Sequence, residues 1–196
     1  KYIFNKFTYK KSKFLDHFEL VEDMPSIYRQ RIKTKLERLI SKAKREIIIE
    51  TPYFLPGHNI RKLLADAARR GVKVKIILPR HSDVRAIDLL SSKYYGFYHA
   101  NHINLVFYTL NNLHAKVLLI DSEIFGLGSP NIDYRSFRYQ HEVMLFGTHK
   151  GIVEEVSNHL NETMRNCLEF DHVSWMRRPR IEKLLGWMLL PFRHLF

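Results

Sequence analysis

The sequence contains a single cysteine, Cys167, so no disulfide bond can form within the chain. It also lacks a run of about 18 apolar residues, which a membrane-spanning helix requires, and no signal peptide is recognisable in it. These absences argue against a disulfide-rich secreted domain and against a transmembrane segment. The simplest interpretation is a protein on the cytosolic side of a membrane.

Acidic residues are scarce as well, with 20 Asp and Glu against 32 Lys and Arg, which gives a formal net charge of +12. This excess favours a polyanionic partner, such as an anionic lipid surface, a nucleic acid or an acidic substrate. Charge alone does not choose among these partners, and many of the basic side chains could simply solvate helix faces. The hydrophobic fraction of 45% indicates a globular chain, long enough for one domain with a sizeable core.

Hydrophobic periodicity predicts helices that alternate with strands, followed by several consecutive strands. The predicted helices cover residues 25–44, 59–70, 82–98 and 150–167. The predicted strands cover residues 46–50, 72–78, 104–108, 113–121, 124–128 and 142–146. This order indicates an α/β sandwich, with a mixed β-sheet flanked by helices on both faces.

One segment carries most of the chemical information. Residues His114 to Asn131 read HAKVLLIDSEIFGLGSPN, which fits H-x-K-x4-D-x6-G-S-x-N. Side chains alternate along a strand, so His114 and Lys116 are predicted to point the same way. The imidazole can attack phosphorus or protonate a leaving oxygen, and the ammonium can hold a phosphate oxygen. The segment therefore indicates phosphoryl-transfer chemistry.

The other polar residues of this region have predicted supporting roles. Asp121 falls on the opposite face at the strand end, where we expect it to pair with a basic or backbone group and fix the loop. Ser129 and Asn131 would supply a hydroxyl and an amide near the phosphate. Glu142 opens the next strand and could hold the second ring nitrogen of His114, fixing its tautomer. We therefore place Asp121 and Glu142 in the catalytic set.

A few further residues are weaker candidates. Tyr53 and Phe54 follow a predicted strand and could line a substrate pocket, or they could be ordinary core aromatics. Arg135 follows the motif and could bind a headgroup or brace the loop. The spacing of His99 and His102 is a weak metal signal, and no cysteine or acidic cluster completes such a site. We therefore expect no metal.

The segment from His114 to Asn131 resembles the HKD motif of the phospholipase D superfamily. Flanking segments resemble the second half of bacterial cardiolipin synthases, and the likeness covers roughly residues 25 to 196. The segments that carry it are Glu50 to Pro56, Arg70 to Pro79, Ser82-Asp83, Asn131 to Phe137 and the basic, apolar tail from Trp175.

This resemblance implies one half of a phosphatidyltransferase that makes cardiolipin from phosphatidylglycerol through a phosphohistidine intermediate. Enzymes of the family join two HKD motifs around one active site, in one chain or across a homodimer. Their two His-Lys pairs act in place of metal ions, so no cofactor is expected. One histidine is the nucleophile and the other the general acid. By analogy His114 would be the acid, although in a homodimer each copy could take either role.

The chain carries one HKD motif and begins at Lys1 rather than Met. We therefore expect a fragment or a split chain, whose partner is a missing N-terminal half or a second copy. We expect residues 1–24 to be a basic, aromatic linker or a remnant of that half, and residues 25–172 to be the catalytic half-domain. Residues 173–196 would be a basic amphipathic tail, which either lies at a membrane interface or packs on the domain.

The resemblance implies an anionic phospholipid substrate and a peripheral position on the cytoplasmic side of the bacterial inner membrane. Two other functions stay open. A homodimer of single-motif chains could be a metal-independent phosphodiesterase or nuclease, and the single motif and the positive charge favour nucleic acid as its partner. A non-enzymatic lipid-binding module is the third interpretation, and the intact motif argues against it.

Overall fold

The computed structural model describes residues 13–26, 28–110 and 113–195. The strands in these ranges are β1 Lys13–Leu15, β2 Phe18–Asp23, β3 Glu46–Glu50, β4 Lys73–Pro79, β5 Asn104–Tyr108, β6 Val117–Ile120, β7 Ile124–Gly128, β8 Glu142–Gly147 and β9 Cys167–Glu169. They form one nine-stranded sheet in the order β1-β2-β8-β7-β6-β3-β4-β5-β9.

The helices within the same ranges are α1 Arg31–Lys42, α2 His58–Arg69, α3 Arg85–Ser92, α4 Tyr95–Ala100, α5 Tyr134–Tyr139, α6 Lys150–Arg165, α7 His172–Met176 and α8 Arg180–Leu189, followed by a 3₁₀ helix at Leu190–Leu195. Strands β3, β4 and β5 are parallel, and the other neighbouring strands pair antiparallel. The sheet is therefore mixed, as the sequence predicts.

Apolar side chains cover both faces of the sheet. On one face the core includes Leu36 of α1, Leu64 of α2 and Tyr98 of α4. On the other face it includes Val156 and Leu160 of α6. Because alternate strand residues point to opposite faces, each central strand contributes to both cores. The prediction of a mixed sheet flanked by helices on both faces is confirmed.

The strand ends next to the motif residues all lie at one edge of the sheet. The parallel strands β3, β4 and β5 all end there, and β6 begins there because it runs antiparallel to β3. For the same reason β7 ends and β8 begins at this edge. The sheet thus brings the segments before β6, after β7 and at the start of β8 together.

The N-terminal segment differs from its prediction. Strands β1 and β2 form a hairpin, and β2 pairs with β8 from Phe18 opposite Gly147 to Asp23 opposite Glu142. Residues 13–23 therefore belong to the sheet and not to a linker, whereas residues 1–12 lie outside the described residues. Sequence reasoning missed β2 because half of the residues in its sequence FELVED are polar.

Two predicted helix starts are also corrected. Helix α1 begins at Arg31 rather than near Pro25, because the buried carboxylate of Asp23 accepts the backbone N–H groups of Arg31 at 2.8 Å and Ile32 at 2.9 Å. A side chain from the preceding strand thus satisfies the free N–H groups of the helix start. The helix predicted for 82–98 is two helices, α3 and α4, and its first turn starts after Val84.

The C-terminal tail is docked on the domain. Helix α8 lies against α3, and a Cβ added at Gly186 would be 3.1 Å from the Leu89 carbonyl oxygen. The Lys93 ammonium sits 3.9 Å from the centre of the Trp187 ring, a cation–π contact. The outer side of α8 still exposes Leu184, Trp187 and other large apolar side chains. Among the described helices, none is long and apolar enough to cross a bilayer.

Candidate active site at the edge of the sheet

His114 and Lys116 lie side by side at this edge, in the extended segment that leads into β6. The predicted strand 113–121 is shorter, since β6 begins at Val117. Lys116 Nζ is 3.1 Å from His114 Nδ1 and donates to the His114 carbonyl oxygen at 2.8 Å. Lys116 Nζ is also 3.5 Å from His114 Nε2, and because an ammonium can only donate, the ring nitrogen that accepts from it is unprotonated. An exposed imidazole and a cation therefore face the same space.

Burial and the nearby carboxylates shift the pKa of Lys116 in opposite directions. Burial lowers the pKa of Lys116 below its ordinary value, because desolvation penalises the ammonium. The carboxylates of Glu142, Asp133 and Asp83 oppose this effect and raise its pKa. The three carboxylates thus help to keep a partly buried cation charged where an anionic substrate would bind.

Glu142 contacts Ser129 rather than His114. The Ser129 hydroxyl donates to the Glu142 carboxylate and accepts the Val143 N–H at 3.0 Å. No hydrogen bond in the part of the chain that the structure describes joins Glu142 to His114. The expectation that Glu142 fixes the His114 tautomer therefore has no contact among the described residues to support it and stays a prediction. Glu142 instead positions Ser129 and contributes negative charge near Lys116.

Asn131 lies in the turn after β7 and is partly buried. The Asn131 N–H donates to the Ser136 hydroxyl at 3.2 Å, and Asp133 caps α5 by accepting the Ser136 N–H at 2.7 Å. Burial raises the pKa of Asp133. The side-chain oxygen of Asn131 is buried without a hydrogen-bond partner among the described residues. An amide oxygen only accepts, so a phosphate oxygen near Asn131 would have to contact its amide NH2 group instead.

Asp121 lies at the opposite edge of the sheet, at the other end of β6. Its carboxylate accepts the backbone N–H groups of Lys44 at 3.0 Å, Arg45 at 2.6 Å and Glu46 at 3.0 Å. Partial burial raises its pKa, but these hydrogen bonds outweigh burial and hold the pKa below its ordinary value. The predicted support role is therefore observed. The placement of Asp121 in the catalytic set is corrected, since it touches neither His114 nor Lys116.

A small cavity of about 40 Å³ adjoins His114 and is lined in part by His81, Ser82 and Asp83. The Tyr53 hydroxyl donates a hydrogen bond to the carboxylate of Asp83, one of the residues that line this cavity. Burial, followed by the Asp83 carboxylate, raises the pKa of Tyr53. Sequence analysis named Ser82-Asp83 only as part of the family resemblance and missed this contact, although a position shortly after β4 is a usable signal for a residue at this end of the sheet.

The two remaining candidates lie elsewhere. Phe54 is fully buried in the core, with its ring centre 5.5 Å from that of Tyr98, so it does not line a pocket. This corrects the expectation in favour of an ordinary core aromatic. Arg135 is exposed on α5, close enough to Asp133 to lower the pKa of that carboxyl.

A buried carboxylate behind the site was also missed. Glu50, the last residue of β3, is 1% exposed and contacts His159 Nε2 of α6 at 3.0 Å. Burial raises the pKa of Glu50, and His159 opposes this shift. In the sequence Glu50 is an apparent strand end, and nothing there indicates a partner more than 100 residues away.

Comparison with known proteins shows the family of the chain. The model of the phospholipase D-like domain of cardiolipin synthase matches residues 36–164. The major cardiolipin synthase of Bacillus subtilis is 30% identical over 176 residues, 88% of this chain and 36% of that protein. A cardiolipin synthase of Clostridium perfringens is 28% identical over 166 residues, 85% of this chain and 35% of that protein. The chain thus spans about a third of these relatives.

Solved structures share the fold. Phosphatidylserine synthase of Haemophilus influenzae superposes with a TM-score of 0.69 at 13% identity, over 91% of this chain and 46% of that chain. The phospholipase D family member Nuc of Salmonella typhimurium gives a TM-score of 0.64 at 18% identity, over 77% of this chain and 98% of that chain. At such low identity these likenesses describe architecture alone.

Proposed function

The chain belongs to the cardiolipin synthase family of phospholipase D-like domains, and we propose that it forms one half of a phosphatidyltransferase that makes cardiolipin. The observation that carries the proposal is the contact between His114 and Lys116, at the end of the sheet where the loop that carries Asn131 also lies. A nucleophilic or acidic imidazole, a cation and an amide are the groups that a phosphodiester transfer needs.

The proposed reaction has two steps. In the first, one active-site imidazole attacks the phosphorus of phosphatidylglycerol and the bond to the headgroup oxygen breaks. A second imidazole protonates that oxygen, and glycerol leaves. In the second step the terminal hydroxyl of another phosphatidylglycerol loses its proton to this imidazole and attacks the phosphohistidine. Cardiolipin forms and the first imidazole is regenerated.

His114 supplies one of the two imidazoles in this scheme. Lys116 and Asn131 hold the non-bridging phosphoryl oxygens, since an ammonium strengthens its contact as negative charge grows in the transition state. When a phosphate binds, it competes with the His114 ring for the Lys116 ammonium. Ser129, held by Glu142, keeps the loop after β7 close to these oxygens.

The other imidazole comes from a second half. The chain spans about a third of its curated relatives, and His114 faces outward from the edge of the sheet. A further domain or a second copy placed against this edge would complete the site. The protein would work at a membrane surface, where the exposed apolar side of α8, flanked by basic residues, supports interfacial contact.

Turnover with purified components tests the proposal. The complete protein that contains this chain is mixed with phosphatidylglycerol in detergent micelles, and cardiolipin and glycerol are both quantified. The proposal expects equal amounts of the two products, because each transfer releases one glycerol. Glycerol without cardiolipin would identify a hydrolase instead.

A metal-independent nuclease is the second candidate. The single HKD motif and the net charge of +12 favour it, because a homodimer of such chains would join two motifs on a basic surface. Cleavage of single- or double-stranded DNA in the presence of a chelator, without cardiolipin formation, would support this alternative.

A further inference from the structure

A large open groove lies beside the candidate active site. Its volume is about 880 Å³, and it runs between α3, α7 and α8 over the end of β5. His81 lines both this groove and the small cavity that contains His114. The groove and the cavity at His114 therefore adjoin each other at His81.

The floor of the groove is aromatic. The ring centre of Tyr95 lies 5.5 Å from that of Phe107 and 5.6 Å from that of Phe170. Phe170 in turn lies 5.9 Å from Trp175. Such contiguous apolar surface binds hydrocarbon by removing it from water.

Arginines surround this floor. Arg80 and Arg85 are exposed at the rim, and the guanidinium of Arg178 lies 4.0 Å from the centre of the Trp175 ring. Ion pairs within the described ranges include none of the three. The Nε of Arg178 is buried and has no hydrogen-bond partner in the same part of the chain. A planar guanidinium fits phosphate oxygens well.

Three carboxylates also line the groove, as many as the arginines. Asp88 accepts the Ser82 N–H at 3.1 Å, and Asp171 caps α7 through the N–H groups of its first turn. Glu182 lies near Arg178 and offsets part of its charge. Among the described residues none of these carboxylates forms an ion pair with Arg80 or Arg85, so these two arginines remain available to an anion.

We propose that this groove binds one anionic phospholipid, with its phosphodiester at the arginine rim and the first part of its acyl chains on the aromatic floor. The inference rests on the proposed function and deepens it, because the lipid would be the acceptor that waits beside the phosphohistidine. A lipid fits better than a free phosphate compound, because the floor is apolar.

The wall formed by α8 supports a lipid in particular. Leu185 faces the groove, and the neighbouring residues Leu184, Trp187 and Met188 are exposed on the outer side of the same helix. If that outer side touches a bilayer, the groove opens next to the lipid phase. A phospholipid could then move into it with little exposure of its chains to water.

Trp175 provides a direct probe. The chain has two tryptophans, and W187F leaves Trp175 in the groove as the only one. The 196-residue chain, once circular dichroism shows that it is folded, is titrated with a short-chain phosphatidylglycerol below its micelle concentration, and Trp175 fluorescence is followed. We expect saturable binding that R85Q weakens by about tenfold, the loss of one charge-assisted hydrogen bond. R69Q, which removes an exposed arginine of α2, should bind as the parent does.

Two further ligands decide what the groove recognises. Short-chain phosphatidylcholine tests the net negative charge, and glycerophosphoglycerol tests the phosphodiester without acyl chains. Weaker binding of both supports the proposal, whereas equal affinity for either one overturns it. Unchanged affinity in R85Q also overturns it. R80Q is measured alongside, and circular dichroism melting checks each variant, so that a folding defect in one does not decide the result.

The binding measurement is independent of turnover. H114A should bind the short-chain lipid like the parent, even though it would be inactive. If the lipid binds in the groove but no cardiolipin is ever formed, the proposed function fails and the groove assignment stands. If cardiolipin is formed but groove variants bind and react normally, the groove assignment fails and the proposed function stands.

Discussion

The Ser129 hydroxyl donates a hydrogen bond to the carboxylate of Glu142 across the paired strands β7 and β8. This contact ties the loop that carries Asn131 to the start of β8. It also places a carboxylate close enough to Lys116 to raise the pKa of that ammonium. Glu142 is therefore linked to the site through its contact with Ser129 and through its charge near Lys116.

Glu142→Gln should shift the pH dependence of turnover. Removal of the carboxylate removes a group that raises the Lys116 pKa, while the burial that lowers this pKa remains. The ammonium is then lost at lower pH, so the alkaline limb of the turnover profile should move to lower pH. The measurement is kcat and KM across the alkaline range for the complete protein. Glu155→Gln, an exposed substitution on α6, should leave the limb in place.

Asp121→Asn should destabilise the fold. The carboxylate accepts three backbone N–H groups, and loss of its charge weakens all of them, with an expected cost of about 1–3 kcal/mol in the free energy of unfolding. Urea denaturation at neutral pH measures this. Glu123→Gln, an exposed neighbour paired with Arg45 on the surface, should change stability by less than about 0.5 kcal/mol.

At acidic pH the parent and Asp121→Asn should have the same stability. The folded pKa of Asp121 lies below its ordinary value, so its stabilisation is complete above the unfolded pKa and is lost as pH falls through the folded pKa. The gap between the two denaturation midpoints should therefore shrink below about pH 4. A gap that stayed constant in acid would show that the charge of Asp121 is not what holds the loop.

His159→Ala should destabilise the protein by leaving Glu50 without its partner. The His159 side chain is half exposed, so its removal chiefly affects Glu50. A buried carboxylate that loses its hydrogen bond lowers the free energy of unfolding by about 1–3 kcal/mol. The folded pKa of Glu50 already lies above its ordinary value, so the loss should grow as pH rises through that pKa. Thermal unfolding between pH 4 and 8 checks the trend.

A second substitution shows whether the charge of Glu50 causes the loss of stability in His159→Ala. Glu50→Gln placed in the His159→Ala background removes the charge and should recover part of the stability. Asn158→Ala, an exposed neighbour on α6, should have little effect. Equal losses at all pH values would indicate that His159 acts by packing alone.

Replacement of Leu184, Trp187 and Met188 by Ser should weaken binding to vesicles. Each side chain would otherwise bury apolar area at the interface, so the combined loss should reach about tenfold or more. Co-sedimentation with phosphatidylglycerol vesicles measures it. Leu168→Ser removes an exposed apolar side chain of β9 instead and should leave vesicle binding unchanged.

The parts of the site that the sequence predicted are local in the chain. His114 and Lys116 are two residues apart in extended backbone, so alternation alone puts them together. Asp121 was correctly expected to fix a loop through a basic or backbone group, because a strand end with a carboxylate usually does so. The order of strands β3 to β8 and of helices α1, α2, α3 and α6 likewise follows from hydrophobic periodicity.

The parts that sequence reasoning missed depend on contacts between distant segments. Glu142 meets Ser129 because of the β7–β8 register, which no local pattern specifies. The start of α1 depends on Asp23 of β2, a strand that its polar sequence conceals. Glu50 and His159 meet only because α6 crosses the sheet over β3. Such pairings are decided by tertiary packing rather than by propensity.

The central claim is that His114 is one of the two imidazoles that transfer the phosphatidyl group. Bacterial cells that lack their own cardiolipin synthases would express the complete protein with His114 intact, with His114→Ala, or with His141→Ala, which alters an exposed histidine next to the start of β8. Mass spectrometry of the membrane lipids should detect cardiolipin with the parent and with His141→Ala, and none with His114→Ala at equal protein levels. Cardiolipin in the His114→Ala cells would contradict the account.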